Sequence, residues 1–451
     1  MSNLIKIKKG LDIHLLGDAE LTIGHLEEPC CFALVPSEFH GVRPKLLVKD
    51  GDAVKAGSPI FFDKDNEKVM FCSPVSGTVK EVVRGEKRVI LEIIIEKDGK
   101  EDYVEFPKKN PDALTREEII DTLLVSGVWP LIRQRPWGRI AKATDLPKSI
   151  FISAFDTAPL APDYEFIIKG NEALFQQGID ILKKLTKGKV YLNLREENGR
   201  KSIFSDNKGV EINYFKGPHP AGNVGVQIHH LDTLTKHDII WYCGPQDVLT
   251  IARLFTEGRY NAEKIFCLTG SEVKDPQYFK GISGMNLEKL FTGYVADGHN
   301  RYISGNVLTG RKINKNGYLG YYDNQLTVIP EGDHYEFLGW IEPGFNKFST
   351  SGAIASNWLS KNKKRRLDTN VHGGHRAYMM TGEYENVFPF DIYPNHLIKA
   401  ILAEDIDRME QLGIYEVIPE DIALCEVVCT SKSEVQEILQ KGIDLMIQEL
   451  G

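Results

Sequence analysis

The stretch Leu46-Leu-Val-Lys-Asp-Gly-Asp-Ala-Val-Lys-Ala-Gly-Ser-Pro-Ile60, followed by Ser73-Pro-Val-Ser-Gly-Thr-Val-Lys-Glu-Val82, decides how the chain begins to fold. Lys49-Asp-Gly-Asp52 and Ser73-Pro-Val-Ser-Gly77 are turn signals, because Gly, Asp and Pro take turn dihedrals that most residues avoid. Thr78-Val-Lys-Glu-Val-Val83 alternates apolar and polar residues as a half-buried strand does. Val42 to Val48 and Val54 to Phe62 read the same way. Short strands punctuated by Gly and Pro predict a small all-β domain over residues 1–110.

Outward from there the period changes. Thr115-Arg-Glu-Glu118 is a capping box, and Ile119, Ile120, Leu123 and Leu124 follow at helical spacing before Gly127. Ser149 to Ser153, Val190 to Leu194 and His237 to Cys243 read as strands. Asn171 to Lys187 reads as a helix with Leu174, Phe175, Ile179, Leu182 and Leu185 inward, and Gln246 to Glu257 as a helix stopped by Gly258. Strands alternating with helices predict a Rossmann-like α/β domain over 111–258. Residues 259–335 return to short strands, with one brief helix at Leu287 to Phe291. Residues 336–451 read as a mostly helical region ending in Ser433 to Leu450, with Val435, Ile438, Leu439, Met446 and Leu450 on one stripe. The fold class expected is therefore multidomain, α/β plus β.

Composition narrows the function classes. The 451 residues carry 55 Lys plus Arg against 63 Asp plus Glu, a net charge of −8, which argues against a nucleic-acid partner. Hydrophobic residues at 42% and charged residues at 26% are those of an ordinary globular protein. The longest apolar runs, such as Val89 to Ile95 interrupted by Glu92, fall short of the ~18 residues of a membrane span. The first ten residues lack a signal-peptide core. Seven cysteines without a Cys-x-x-Cys read as reduced cytosolic thiols.

Chemistry-bearing motifs are sparse. G-x-x-x-x-G-K-[ST], G-x-G-x-x-G, G-x-S-x-G and H-E-x-x-H are all missing. His372-Gly-Gly-His375 holds two imidazoles but no third ligand, so a glycine turn is favoured over a metal site. His229 and His230 would point opposite ways if they lay in a strand. Cys425 and Cys429 would stack on one helix face, and two thiols cannot hold an iron–sulfur cluster, so buried apolar packing is favoured. Lys361-Asn-Lys-Lys-Arg-Arg366 reads as a solvated loop; the sharper alternative is contact with acidic lipid or with a neighbouring protein of an assembly. No catalytic residue and no metal ligand is expected.

The segments 46–60 and 73–82 resemble biotinyl/lipoyl barrel-sandwich domains. Carriers of that type bear a modified lysine about eight residues before the second-segment proline. Counting back from Pro74 reaches Asn66, flanked by Lys64 and Lys68, so the prosthetic-group lysine is absent in register. As a whole, the chain is similar to the family of A subunits of sodium-translocating NADH:quinone reductases, bacterial respiratory complexes. The carrying segments are Ile5 to Asp12, Gly127 to Pro136, Ser153 to Ala161, Gly217 to Gly225, Ile303 to Leu308, Val328 to Gly332, Gly339 to Gly344 and Leu424 to Cys429. That family is similar in turn to the C subunit of the Rnf complex and to the NADH-binding subunit of respiratory complex I. Those relatives carry a glycine-rich flavin loop where this chain has Gly127-Val-Trp-Pro130, and C-terminal cluster motifs that are missing here.

The resemblance implies a barrel-sandwich, Rossmann-like and β-grasp (SLBB-like) scaffold, with the β-grasp at 259–335. It implies a peripheral subunit on the cytoplasmic side of the inner membrane, binding no cofactor itself, in a complex that uses NAD, flavins, iron–sulfur, Na+ and quinone. Partners would be the other subunits, above all the quinone-binding membrane subunit, with ubiquinone or menaquinone as a further contact. The alternatives are a quinone-binding module, a flavin- or NADH-binding catalytic subunit of a related complex, and a carrier with a modified lysine. Loops at the carboxyl ends of strands line the ligand crevice of an α/β domain. Gly217-Pro-His-Pro-Ala-Gly222 follows such a strand, so His219 and Gly222 are expected at a quinone cleft, walled by Trp129 and Trp137 from the segment matching the relatives' flavin loop. The competing reading is a loop that braces the domain through proline rigidity.

Overall fold

The computed structural model describes residues 3–108, 113–197, 199–334, 347–350 and 363–450. The expected segment Gly339 to Gly344, the 110/111 boundary, Lys361 and Asn362 lie outside the described residues.

The β-rich start folds as two small facing sheets. Cys31–Leu34, Ile90–Lys97, Gly77–Arg84 and Ala53–Val54 form one; Pro44–Leu46, Pro59–Asp63 and Asn66–Cys72 form the other. Phe61 and Phe71 stack at 4.4 Å between them and Phe39 leans on both. Gly77 is needed where its strand runs close beside Ile90–Lys97, since a Cβ there would lie 2.1 Å from the Glu96 carbonyl oxygen. The barrel-sandwich domain is thus present, but the first residues, expected with it, are shared out elsewhere. Asn3–Lys6 pairs in parallel with Glu211–Lys216 of the α/β sheet, and Glu20–Ile23 pairs with Gln277–Ile282 of the third domain.

The α/β sheet runs in the order Asn3–Lys6, Glu211–Lys216, Lys189–Arg195, Ser149–Ser153, Ile240–Cys243, Arg133–Arg135, Arg139–Ile140. The first five strands are parallel, and the last two turn antiparallel at the edge. Ser149 to Ser153 reads Ser-Ile-Phe-Ile-Ser with Ile150, Phe151 and Ile152 at 0% exposure, as a strand covered on both faces must. Thr115 and Glu118 make the predicted capping box. Helix Glu172–Leu185 buries Phe175, Ile179, Leu182 and Leu185, and helix Pro245–Glu257 stops at Gly258, whose φ of +69° is left-handed.

The β-grasp domain is a six-stranded sheet, Arg311–Ile313, Asn300–Ser304, Gln325–Pro330, Glu263–Thr269, Gln277–Ile282 and Glu20–Ile23, carrying helix Glu288–Tyr294. One continuous core joins it to the barrel-sandwich and α/β domains. The C-terminal helices Tyr384–Val387, Pro394–Leu402, Ile406–Gln411, Ala423–Val428 and Val435–Leu450 enclose a second core. Ile7, Phe215 and Val226 of the α/β domain complete that core.

Three local motifs take a definite place in the fold. His229 and His230 lie in helix Val224–Leu231, not a strand, and their rings approach to 5.2 Å. Each is engaged separately: His229 Nδ1 with Glu416 Oε2 at 2.8 Å, and His230 Nδ1 with the Val226 carbonyl at 2.8 Å. The described part of the basic run is a loop with Lys363, Lys364 and Arg366 exposed and Arg365 buried, and specific contacts tie it down. Lys364 pairs with Asp18, Arg366 grips Glu272 with two nitrogens, and the backbone of Arg365 is bonded to His14 and Leu16. Cys425 lies in its helix, whereas Cys429 caps it. Both thiols are buried, and the Tyr384 hydroxyl lies 3.0 Å from the Cys429 sulfur, so these cysteines pack.

Candidate functional site

Among the parallel strands, Ser149–Ser153 has its sequence successors on one side and Ile240–Cys243 on the other. The chain leaves these two neighbours in opposite directions, which opens a crevice at their carboxyl ends. A cavity of about 160 Å³ lies there, lined by Ser153, Asp156, His219, Gly222, Tyr242 and Arg133 among others. A larger cavity of about 450 Å³ adjoins it across the turn Ala154 to Asp163, whose residues Phe155, Asp156 and Ala158, with Tyr164 just beyond, line both. Together they have the capacity of a small-molecule site.

The turn Ala154-Phe-Asp-Thr-Ala-Pro-Leu-Ala-Pro-Asp163 is the first strand-to-helix connection, where a phosphate cradle sits in dinucleotide-binding domains. It contains two prolines and no glycine. A pyrophosphate needs backbone N–H groups at close range, which glycines permit, so this turn does not fit a dinucleotide.

The expected residues divide. His219 and Gly222 line the cavity; Trp129 and Trp137 are not among its lining residues. Trp129 is 0% exposed, gives its indole N–H to the Ala141 carbonyl at 2.7 Å and meets Trp241 edge-on at 5.4 Å. Trp137 leans on Tyr415 at 5.2 Å, against the C-terminal core. The reason is placement: Gly127 to Leu131 precedes the sheet and is packed against the barrel-sandwich domain. There a Cβ on Gly127 would lie 2.7 Å from that of Cys72. The two tryptophans belong to the cores, and the cleft walls come from elsewhere. Arg133, six residues after Gly127, is the residue of that segment that lines the cavity.

His219 is held from two sides. Its backbone N–H donates to Asp12 Oδ1 at 2.9 Å and its Nδ1 lies 3.1 Å from Thr157 Oγ1. Thr157 Oγ1 accepts the Gly222 N–H at 2.9 Å, so the hydroxyl proton is free to go to Nδ1. With that proton given to Nδ1, the imidazole proton sits on Nε2. Burial pushes the His219 pKa down to about 4, against opposing pulls from Asp12 and Glu420, so the ring is neutral at physiological pH. Gly222 is as tightly placed, since a Cβ would stand 2.6 Å from the Thr157 nitrogen. Asp156 accepts the Ala158 N–H at 2.8 Å, and burial raises its pKa from its ordinary value.

Residue-type reasoning did not find Asp156, Tyr242, Glu420 or Arg133. The signal for Asp156 was present: Ser153 to Asp163 directly follows a readable strand, and that position alone places it at the crevice. Arg133 and Glu420 carried no such signal, because their arrival depends on an antiparallel strand added beside Ile240–Cys243 and on the packing of the C-terminal region. Among the described residues no group of three or more His, Cys, Asp and Glu side chains is arranged to hold a metal ion.

Comparison with known proteins covers most of the chain. The family described as "NqrA N-terminal barrel-sandwich hybrid domain" matches residues 5–98, "NqrA second alpha/beta domain" matches 114–260, and "NQRA C-terminal domain" matches 265–315. The A subunit of the Na(+)-translocating NADH-quinone reductase of Yersinia pseudotuberculosis serotype I (strain IP32953) is 38% identical over 449 residues, 99% of this chain and 100% of that one. The corresponding A subunit from Pasteurella multocida (strain Pm70) is 37% identical over 450 residues, with the same coverage. Among solved structures, a chain of an NAD+-reducing [NiFe]-hydrogenase in the air-oxidized state aligns with TM-score 0.41 at 13% identity. That alignment covers 76% of this chain and spans 62% of the other chain's length.

Proposed function

Because the chain belongs to the family of A subunits of the Na(+)-translocating NADH-quinone reductases, we propose that it is the peripheral, non-redox subunit of such a complex and that its switch-point cavity contacts the quinone. Among the described residues no helix is long and apolar enough to cross a membrane. Attachment at the cytoplasmic face then runs through partner subunits, chiefly the quinone-binding membrane subunit. NADH, flavins, iron–sulfur and Na+ are handled by those partners. The observation that carries the quinone reading is His219: a neutral ring at the cavity wall, engaged at Nδ1 by Thr157, which in its Nε2-protonated form offers a donor to the cavity. A quinone carbonyl is a neutral acceptor and needs such a donor, with no change of protonation on binding. Phe155, Ala158 and Pro245 supply apolar contact for the ring. Ubiquinone and menaquinone share these features, and the cavity does not choose between them.

The test replaces His219 with Ala in the assembled complex. A lower quinone-reductase rate and weaker photo-affinity labelling of this chain by a quinone analogue are expected, with NADH oxidation by an artificial acceptor unchanged. Unchanged labelling and unchanged rate would remove His219 from quinone contact and leave the chain with a role in assembly only.

A further inference from the structure

The same cavity carries a feature that a neutral quinone does not use. The guanidinium of Arg133 is clamped between two aromatic rings, its Cζ 4.7 Å from the Tyr242 ring centroid and 4.6 Å from that of Tyr322. No carboxylate lies within ion-pair distance of it among the described residues, and its Nε is buried with no hydrogen-bond partner. The Tyr242 hydroxyl, on a residue 3% exposed, is likewise buried and partnerless. The two rings hold the guanidinium in place, and Arg133 lines the cavity. An arginine so placed offers a rigid fork of N–H donors matched to a planar or tetrahedral oxyanion.

The surroundings reinforce this. The nearby acids already have donors of their own: Glu420 takes Arg135 Nη2 at 2.9 Å, and Asp247 turns back to the Gly244 N–H at 2.7 Å. Two helices begin at the cavity, Val224–Leu231 and Pro245–Glu257, and both point their positive ends inward. The first has no side-chain cap, since the Asn223 amide donates instead to the Glu420 carbonyl at 3.0 Å.

We propose that the Arg133 end of this cavity is an oxyanion site that takes the phosphate or carboxylate group of a small molecule. It goes beyond the quinone reading and does not depend on it, because a neutral ring at His219 has no need of a guanidinium that lines the same cavity without a direct ion-pair partner.

The test uses the purified full-length chain without quinone. Its melting temperature is followed against inorganic phosphate, glycerol 3-phosphate and succinate, each at constant ionic strength with chloride as reference, and bound phosphate is counted by equilibrium dialysis. A saturable rise in Tm with at least one oxyanion, at one site per chain, is expected. Arg133→Gln abolishes it, and Arg133→Lys, which keeps the charge but loses the fork, weakens it about tenfold. Response to the phosphates alone assigns a phosphate ligand; response to succinate alone assigns a carboxylate. No saturable response of the unaltered chain to any of the three overturns the proposal, as does an undiminished response of Arg133→Gln. Should Arg133→Gln fail to fold, the wild-type dialysis and Arg133→Lys still decide.

Discussion

Arg135 and Asp421 form an ion pair in which neither side chain is exposed, with Nη1 2.6 Å from Oδ2. They are 286 residues apart and belong to the penultimate strand of the α/β sheet, Arg133–Arg135, and to the turn Pro419–Ile422 between the C-terminal helices. The same guanidinium reaches the Glu416 carbonyl at 3.2 Å and Glu420 at 2.9 Å. One side chain therefore ties the second core to the first. Removing one partner strands a buried charge, so Asp421→Ala is expected to cost about 3–5 kcal/mol. The paired replacement Arg135→Met with Asp421→Leu should recover most of that loss. Urea unfolding of the three variants measures it, and a double variant as unstable as the single one would show that the pair is stabilising in itself.

Gly225 belongs to this joint, since a Cβ there would stand 2.3 Å from Asp421 Oδ1 and 2.8 Å from Arg135 Nη2. Gly225→Ala should loosen the C-terminal helices while the barrel-sandwich domain keeps its protection. Hydrogen exchange resolved by segment reads this directly.

Trp129 and Trp137 separate what the sequence makes readable from what it does not. Strands Ser149–Ser153 and Lys189–Arg195, helix Glu172–Leu185 and the Thr115 capping box are legible because local period and local chemistry suffice for them. The crevice at the carboxyl ends, and His219 with Gly222 beside it, is legible because a βαβ order fixes where a crevice falls. Trp129 is misread because burial depends on what packs on a residue, and Trp241 and Ala141 arrive from other parts of the chain. The placing of Asn3–Lys6 in the α/β sheet is illegible for the same reason, since its partner Glu211–Lys216 lies far along the chain. Trp129→Ala is expected to cost about 3–5 kcal/mol by emptying core volume. Quinone labelling per folded molecule should stay unchanged, and a labelling loss without destabilisation would restore Trp129 to the cleft.

Glu38 links the barrel-sandwich domain to the β-grasp domain, pairing with Arg311 and accepting the Tyr321 N–H at 2.7 Å. Burial pushes its pKa up to about 7, with Arg311 and the Tyr321 N–H offsetting part of the rise. A carboxyl raised in the folded state binds its proton more tightly there than in the unfolded chain. Its contribution is therefore full below its ordinary value of 4.5 and is lost as pH rises to about 7. The whole effect is of order 3 kcal/mol. Glu38→Gln should flatten the stability profile between those values; an unchanged slope would assign it to other groups.

The hairpin that would carry a prosthetic group closes through Asp63 paired with Asn66, leaving Lys64 and Asp65 as the two-residue tip. Asn66 stands at the register of modification, and its amide cannot be acylated as an amine is. Lys64 lies two residues out of register, with its N–H on the Arg43 carbonyl at 2.9 Å and Arg43 Nε on Asp65 at 2.8 Å. Intact-mass spectrometry should return the unmodified chain, and an added biotin or lipoyl mass would revive the carrier reading.

The neutral His219 also predicts a sensitivity to acid. Its pKa falls from 6.5 to about 4 on folding, so the folded state holds fewer protons than the unfolded one between those values. Stability is then full above 6.5 and falls as pH drops toward 4, by about 3 kcal/mol from this group. Thr157→Val removes the hydroxyl that meets His219 Nδ1 and accepts the Gly222 N–H, at a cost of about 1–3 kcal/mol. The two changes are distinguishable. His219→Asn should flatten the acid limb of the unfolding profile, whereas Thr157→Val should lower stability at every pH and release the imidazole tautomer. Nitrogen chemical shifts of the ring at neutral pH report that tautomer. An Nε2-protonated ring in the unaltered chain that becomes a mixture in Thr157→Val is the expected result. An Nδ1-protonated ring from the outset would take the donor away from the cavity, and with it the quinone contact proposed for His219.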